Sequence, residues 1–123
     1  MNLDQYKQVP KQWGREVWIV NHPTHCGKLL FIEAGQQCSL HYHPIKAETF
    51  MVLDGLINLE RTGSGDPGSP IAVLQLAEGD SHTLEPNTAH RFSSALDTPA
   101  VILEISSQHS DDDVVRLEES RAL

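Results

Sequence analysis

Apolar residues in this chain gather in short runs, and turn residues separate the runs. KLLFIEA at 28–34 is an apolar run closed by Gly35, and ETFMVLDG at 48–55 is a second that ends in Asp-Gly. Between them lies QCSLHYH at 37–43, short and rich in aromatic and polar residues. LINLER at 56–61 alternates with period two, as a strand with one wet face does. IAVLQLAEGD at 71–80, HTLEP at 82–86, AHRFSS at 89–94 and AVILEIS at 100–106 complete the series. The spacing is roughly ten residues from run to run, which predicts an all-β sandwich or barrel. Only the acidic tail at 110–122 offers helix-forming residues, and its pattern DDDVVRLEESR is ambiguous. The segment TGSGDPGSP at 62–70 has too few apolar groups to fold on itself and reads as a mobile hairpin loop.

Length and charge narrow this picture. At 123 residues the chain is one domain's worth, with a core expected over about 12–107, the loop at 62–70 and a tail at 108–123. The 9 Lys and Arg residues face 17 Asp and Glu, a net charge of −8. That balance argues against a nucleic-acid partner and against docking on an anionic membrane. No apolar run approaches the roughly 20 residues of a membrane span. The opening MNLDQYKQVPKQWG carries no apolar stretch of the secretory kind. Two cysteines, Cys26 and Cys38, do not make a disulfide framework, so free thiols and a cytoplasmic location are expected. Seven histidines are many for this length, and they carry the candidate chemistry.

His41 and His43 lie two apart on a predicted strand, so both imidazoles point the same way. Glu48 follows the short turn PIKA and opens the next strand, where a hairpin can bring it beside them. His90, on the AHRFSS strand, is the candidate for a fourth ligand. Such a set suits one divalent transition ion, Mn, Fe, Co, Ni or Zn alike, with remaining positions open to water or substrate. A His-x-His pair alone is commonly no more than strand polarity. His22, His25 and Cys26 form a second cluster, but a tetrahedral zinc site would need a fourth ligand. His82 and His109 have no ligand spacing, and Cys38 has no obvious base beside it.

The string Gly35, His41, His43, Glu48, Gly55 resembles the first cupin motif at every position and spacing. A second cupin motif is present in altered form. Gly79 and His90 stand at its glycine and histidine, Glu85 replaces the usual Pro with Pro86 one later, Asn87 replaces Gly, and Ser94 stands where Asn is usual. The resemblance implies a small antiparallel jelly-roll barrel with a metal held inside by His41, His43, Glu48 and His90. Alternation then sends Gln37 and Ser39 inward with the histidines, and Cys38, Leu40 and Tyr42 to the opposite side. Phe50 and Val52 follow Glu48 inward, Phe92 follows His90, and Arg91 points away. The pocket is expected to be an apolar cup with a few polar groups, with Phe50 and Phe92 as substrate-binding walls.

Trp13-Gly14, the run from Cys26 to Gly55, and ILEISSQHSDDDVVR at 102–116 resemble sugar-isomerase cupins, over residues 12–117. These are the cupin domain of type II mannose-6-phosphate isomerases and the D-lyxose isomerase group. The former usually carries Gln at the position of His41, and the latter are longer and carry Lys at the position of Ser39. The resemblance implies an aldose–ketose isomerase acting on a sugar or sugar phosphate. Glu104, inside apolar AVILEISS, is the candidate catalytic base, because burial raises a carboxylate's basicity. It could instead face water on an edge strand, or pair with Arg91 or Arg116. Lys46 is expected in a turn at the barrel mouth, neutralising an anionic substrate or simply solvated. Arg116 would bind substrate or pair with nearby acids. The alternatives are an Fe(II) cupin dioxygenase using the same ligands and a non-catalytic sugar-binding cupin. A homodimer is expected.

Overall fold

The structure is a computed structural model that describes residues 1–123. Thirteen strands follow one another: β1 Lys7–Lys11, β2 Gly14–His22, β3 His25–Ile32, β4 Gln36–Gln37, β5 Leu40–Tyr42, β6 Glu48–Asp54, β7 Leu56–Arg61, β8 Ala72–Ala77, β9 Ser81–Leu84, β10 His90–Ser94, β11 Ala100–Ser106, β12 Val115–Glu118 and β13 Arg121–Ala122. One six-stranded sheet runs β1-β2-β3-β11-β6-β9. In the other, β10 pairs with β7 on one side and with β4 and β5 on the other; β8 extends it beyond β7, and β12 and β13 beyond β5 and β4. All pairings are antiparallel, so this is an all-β fold of the kind that the spacing of runs predicts, with the jelly-roll form that the resemblance implies. No helix is long and apolar enough to cross a membrane.

The two sheets close on one core. Leu30, Ile32, Val52, Ala100 and Ile102 from the first sheet meet Ile57, Leu59, Leu76 and Phe92 from the second, each below a tenth exposed. Trp13 seals the cluster, its ring edge-on to Phe92 at 5.2 Å. Each predicted run between 28 and 106 contains strand, and inward apolar residues alternate with more exposed ones most clearly along β6, β7 and β11. The segment 62–70 joins β7 to β8 as the expected hairpin.

Three features depart from the sequence reading. The N-terminal hairpin of β1 and β2 carries no apolar alternation in KQVPK; Pro10 fits because β1 is a sheet edge. The acidic tail forms strands β12 and β13 in place of a helix, pairing Val115 with Tyr42, Arg116 with His41 and Arg121 with Gln37. Exposed edge backbone along β4 and β5 would otherwise lack partners, and the tail supplies them. The third departure is the alternation through residues 37–43. Ser93 pairs with Gln37 and His90 with His41, four residues on one side against three on the other. This one-residue bulge switches faces. Gln37 therefore points outward to Arg121 and Glu60, while Cys38 joins the core, against the expected arrangement.

Candidate functional site

The register of the six-stranded sheet lays out the floor of the site. Trp18, Lys28, Glu104, Phe50 and His82 stand side by side across β2, β3, β11, β6 and β9, all on the inward face. From the opposite sheet, His41 pairs directly with His90. The cavity between them is lined by 18 residues, of which 6 are hydrophobic, and holds about 630 Å³ counted out to its open mouth. The expected apolar cup is therefore corrected: Phe50, Phe92, Trp13 and Leu30 form its apolar wall, and charged groups and histidines form most of the rest.

The ligating atoms of His41, His43 and His90 lie within 4.8 Å of one another. Each ring is fixed by a carbonyl oxygen at Nδ1: Ser39 O for His41 at 2.9 Å, Asp113 O for His43 at 2.6 Å, and Thr88 O for His90 at 2.9 Å. A carbonyl only accepts, so Nδ1–H donates in all three and each neutral ring keeps its lone pair on Nε2. This is the outer support that metal-binding histidines use. Glu48 is buried against them, with Oε1 3.2 Å from His43 Nε2 and Oε2 3.0 Å from His90 Nε2. Despite that closeness, Glu48 Oε2 and His90 Nε2 are buried without any hydrogen bond. Two electron-pair donors turned toward one point, with nothing to share, fit a cation between them. Three histidines are thus positioned to bind a metal.

Electrostatics follow from burial. Desolvation holds His41 down to about 3, with neighbouring His90 adding to the effect. Burial also works against charge on His43, but the carboxylate of Glu48 beside it outweighs burial and raises its pKa. Burial opposes ionisation of Glu48, yet His43 and His90 close beside it and the charge of Lys46 hold its carboxyl well below the usual range. Burial pushes the Cys38 thiol up to about 12.

Lys46 is not at the mouth. It is 3% exposed, with Nζ 2.8 Å from Glu104 Oε2 and 3.1 Å from Glu48 Oε1. Burial would lower its pKa, but Glu104 and Glu48 overcome that and raise it. Glu104 is buried on the central strand β11 and pairs with Lys46, not with Arg91 or Arg116. Ser106 Oγ donates to the same oxygen at 3.2 Å, so Oε2 is anchored twice while Oε1 makes no hydrogen bond. Arg116 is exposed at the rim of the cavity, and Arg91 points away, bound to Glu118 at 3.1 Å. His22 and His25 stack at 4.8 Å in an exposed turn, apart from the site.

Sequence reasoning missed Asp113 and His109. Asp113 O holds His43, and its carboxylate accepts the backbone N–H groups of Ile45 and Lys46, both at 2.9 Å. Nothing distinguishes it from Asp111 and Asp112 in the acidic run. His109 lines the cavity with Nδ1 3.4 Å from Lys46 Nζ, and no spacing signals this.

A jelly-roll barrel with three inward histidines and a buried carboxylate beside them defines a cupin-type barrel with a candidate metal site. The chain belongs to the Cupin domain family, which matches over residues 28–106. It is similar to a D-lyxose/D-mannose isomerase of Thermosediminibacter oceani, 34% identical over 113 residues, covering 76% of this chain and 61% of that protein. The chain thus spans about three-fifths of that relative's length. Among solved structures, Bacillus subtilis oxalate decarboxylase superposes with a TM-score of 0.79 at 16% identity, covering 95% of this chain and 31% of that one. The Staphylococcus aureus capsular polysaccharide assembling protein CapF gives 0.75 at 15% identity, covering 96% and 34%. At these identities the likeness concerns the fold.

Proposed function

We propose that this cupin is a metal-dependent aldose–ketose isomerase acting on a sugar or sugar phosphate. The observation that carries the reading is Glu104: a buried carboxylate in the cavity, anchored through one oxygen and free at the other. His41, His43, Glu48 and His90 would hold one divalent ion, Mn, Fe, Co, Ni or Zn. When bound, it would polarise the sugar carbonyl and stabilise the negative charge that develops there.

The chain's own residues supply the rest. Glu104 Oε1 takes the proton from the carbon beside the carbonyl and returns it to the neighbouring carbon, with the hydroxyl proton passing to the former carbonyl oxygen. Lys46 and Ser106 hold Oε2, which fixes the direction of the free oxygen. Phe50 and Phe92 wall off water, and Arg116 meets the substrate at the rim. The kinship with a protein named D-lyxose/D-mannose isomerase supports the same chemistry.

The reading also places the chain in the cytoplasm as a homodimer. Leu103 and Met51 run in register on the outer face of the six-stranded sheet, with Ile19, Leu53 and Ile105 exposed nearby. Six strands of this length present on the order of 550 Å² per copy, or about 1,100 Å² for a pair, which clears what a specific interface needs.

The test is a panel of pentoses, hexoses and their 6-phosphates with metal-loaded protein. Aldose–ketose interconversion of at least one is expected, and Glu104→Gln should lower its rate at least a hundredfold with bound metal unchanged. No interconversion across the panel contradicts the isomerase; an unchanged Glu104→Gln rate contradicts the role of Glu104.

A further inference from the structure

Lys28 occupies a place that the reaction leaves unexplained. It stands on β3, directly opposite Glu104 in the sheet register, and its side chain turns into the same cavity. It is 1% exposed, yet its ammonium makes no hydrogen bond. Its surroundings are the Trp18 ring, 4.2 Å from Nζ to the centroid, and Glu16 Oε1 at 3.6 Å. That carboxylate oxygen already accepts from Trp18 Nε1 at 2.9 Å. An ammonium has three donors, and a carboxylate oxygen shared with Trp18, at ion-pair distance, is the one anionic partner they have. Lys46, in contrast, is fully engaged by Glu48 and Glu104.

The charge around Lys28 points the same way. Four of the chain's nine Lys and Arg residues, Lys11, Lys28, Lys46 and Arg116, line this one cavity against three carboxylates, Glu16, Glu48 and Glu104, an excess of one cation in a protein of net charge −8. Arg116 has no ion-pair partner, and Lys11 only approaches Glu16 at 3.9 Å. Cations gathered in a low-dielectric cleft of an acidic protein draw in anions. Hydroxyl groups alone would leave this excess uncompensated.

We infer that the cavity takes an anionic monosaccharide, bearing a phosphate or a carboxylate, and that Lys28 is the residue that reads the charged group, with Lys11 and Arg116 at the rim. This rests on the reading of the cavity as a sugar site and names the class of sugar. Lys28 lies one strand away from Glu104, about 5 Å between backbones. Its Nζ, however, reaches over β2 to Trp18 and Glu16, away from Glu104 and the imidazoles, where the far end of a six-carbon chain would lie.

The test is calorimetric titration of the metal-loaded protein with D-mannose 6-phosphate, D-glucuronate and D-mannose. At least one anionic sugar should bind tenfold or more tighter than D-mannose, and which one does so separates phosphate from carboxylate. Lys28→Met keeps the buried stem and should abolish the preference. Equal binding of all three sugars overturns the inference, as does a preference that survives Lys28→Met. If Lys28→Met does not fold, Arg116→Gln and salt carry the test. The preference should fall at least threefold with Arg116→Gln and again between about 50 and 500 mM salt; no change in either overturns it. Anion preference without isomerisation supports the assignment of Lys28 and refutes the isomerase. Isomerisation of D-mannose with no anion preference does the opposite.

Discussion

Each imidazole of the site is held by a carbonyl oxygen at Nδ1, and only Asp113 O reaches its ring from far along the chain, 70 residues from His43. The locally held rings explain why the ligands were legible. A His-x-His pair on a strand and a carboxylate after a short turn meet in almost any tight hairpin, and His90 sits across one ladder pairing from His41. Lys46 was not legible as an interior residue. Its burial depends on Asp113 gripping the turn from 67 residues away. Glu104 was legible by its apolar neighbours, but its partner was not, because the Lys46–Glu104 pair exists only once the turn is folded inward. Cys38 carries a prediction at this scale. With its pKa near 12, roughly one thiol in ten thousand is ionised at pH 8, and the side chain is buried. Neither Cys38 nor buried Cys26 should react with Ellman's reagent within minutes in the native protein, and both should react in denaturant. Fast modification of one thiol in native protein would contradict the buried position.

At the scale of elements, the tail and the N-terminal hairpin carry the consequences. Gly14 opens β2 with φ of 149°, and a Cβ there would overlap the carbonyl oxygen of Phe31 on β3. Gly14→Ala is expected to cost about 2–4 kcal/mol, read as a lower midpoint in urea unfolding. Asn87 adopts φ of 61° in the turn before β10, which bears out the reading that Asn replaces Gly in the second motif by tolerating the left-handed region. The tail was illegible as strand because β12 and β13 add only edge backbone, with side chains exposed on every residue. Its effect on the site still follows from Asp113. Asp113→Asn removes the charge that gathers two N–H groups of the Lys46 turn. It should weaken metal binding about 10-fold and loosen the tail, measured by metal titration and by amide exchange at Ile45 and Lys46. Unchanged affinity and exchange would show that the turn is held by other contacts.

For the whole molecule, the fold was readable because strand runs recur at regular spacing, while the bulge at Cys38–Ser39 was not, since nothing in QQCSLHYH marks the extra residue. The net charge of −8 hid the cations that line the cavity, because composition averages over the surface. The outer sheet face predicts assembly. Light scattering at about 50 μM should give twice the 13.7 kDa chain mass, and Ile105→Lys should reduce it to one. A monomer in the parent protein would contradict the interface.

The account stands on one cation among His41, His43, Glu48 and His90, and the most direct measurement is bound metal per chain. Protein loaded with manganese or zinc and freed of excess by gel filtration should retain about one ion per chain by elemental analysis. The double variant Glu48→Gln, His90→Gln should retain less than about a tenth of that. Parent protein that retains none, or a double variant that retains as much as the parent, would contradict the site.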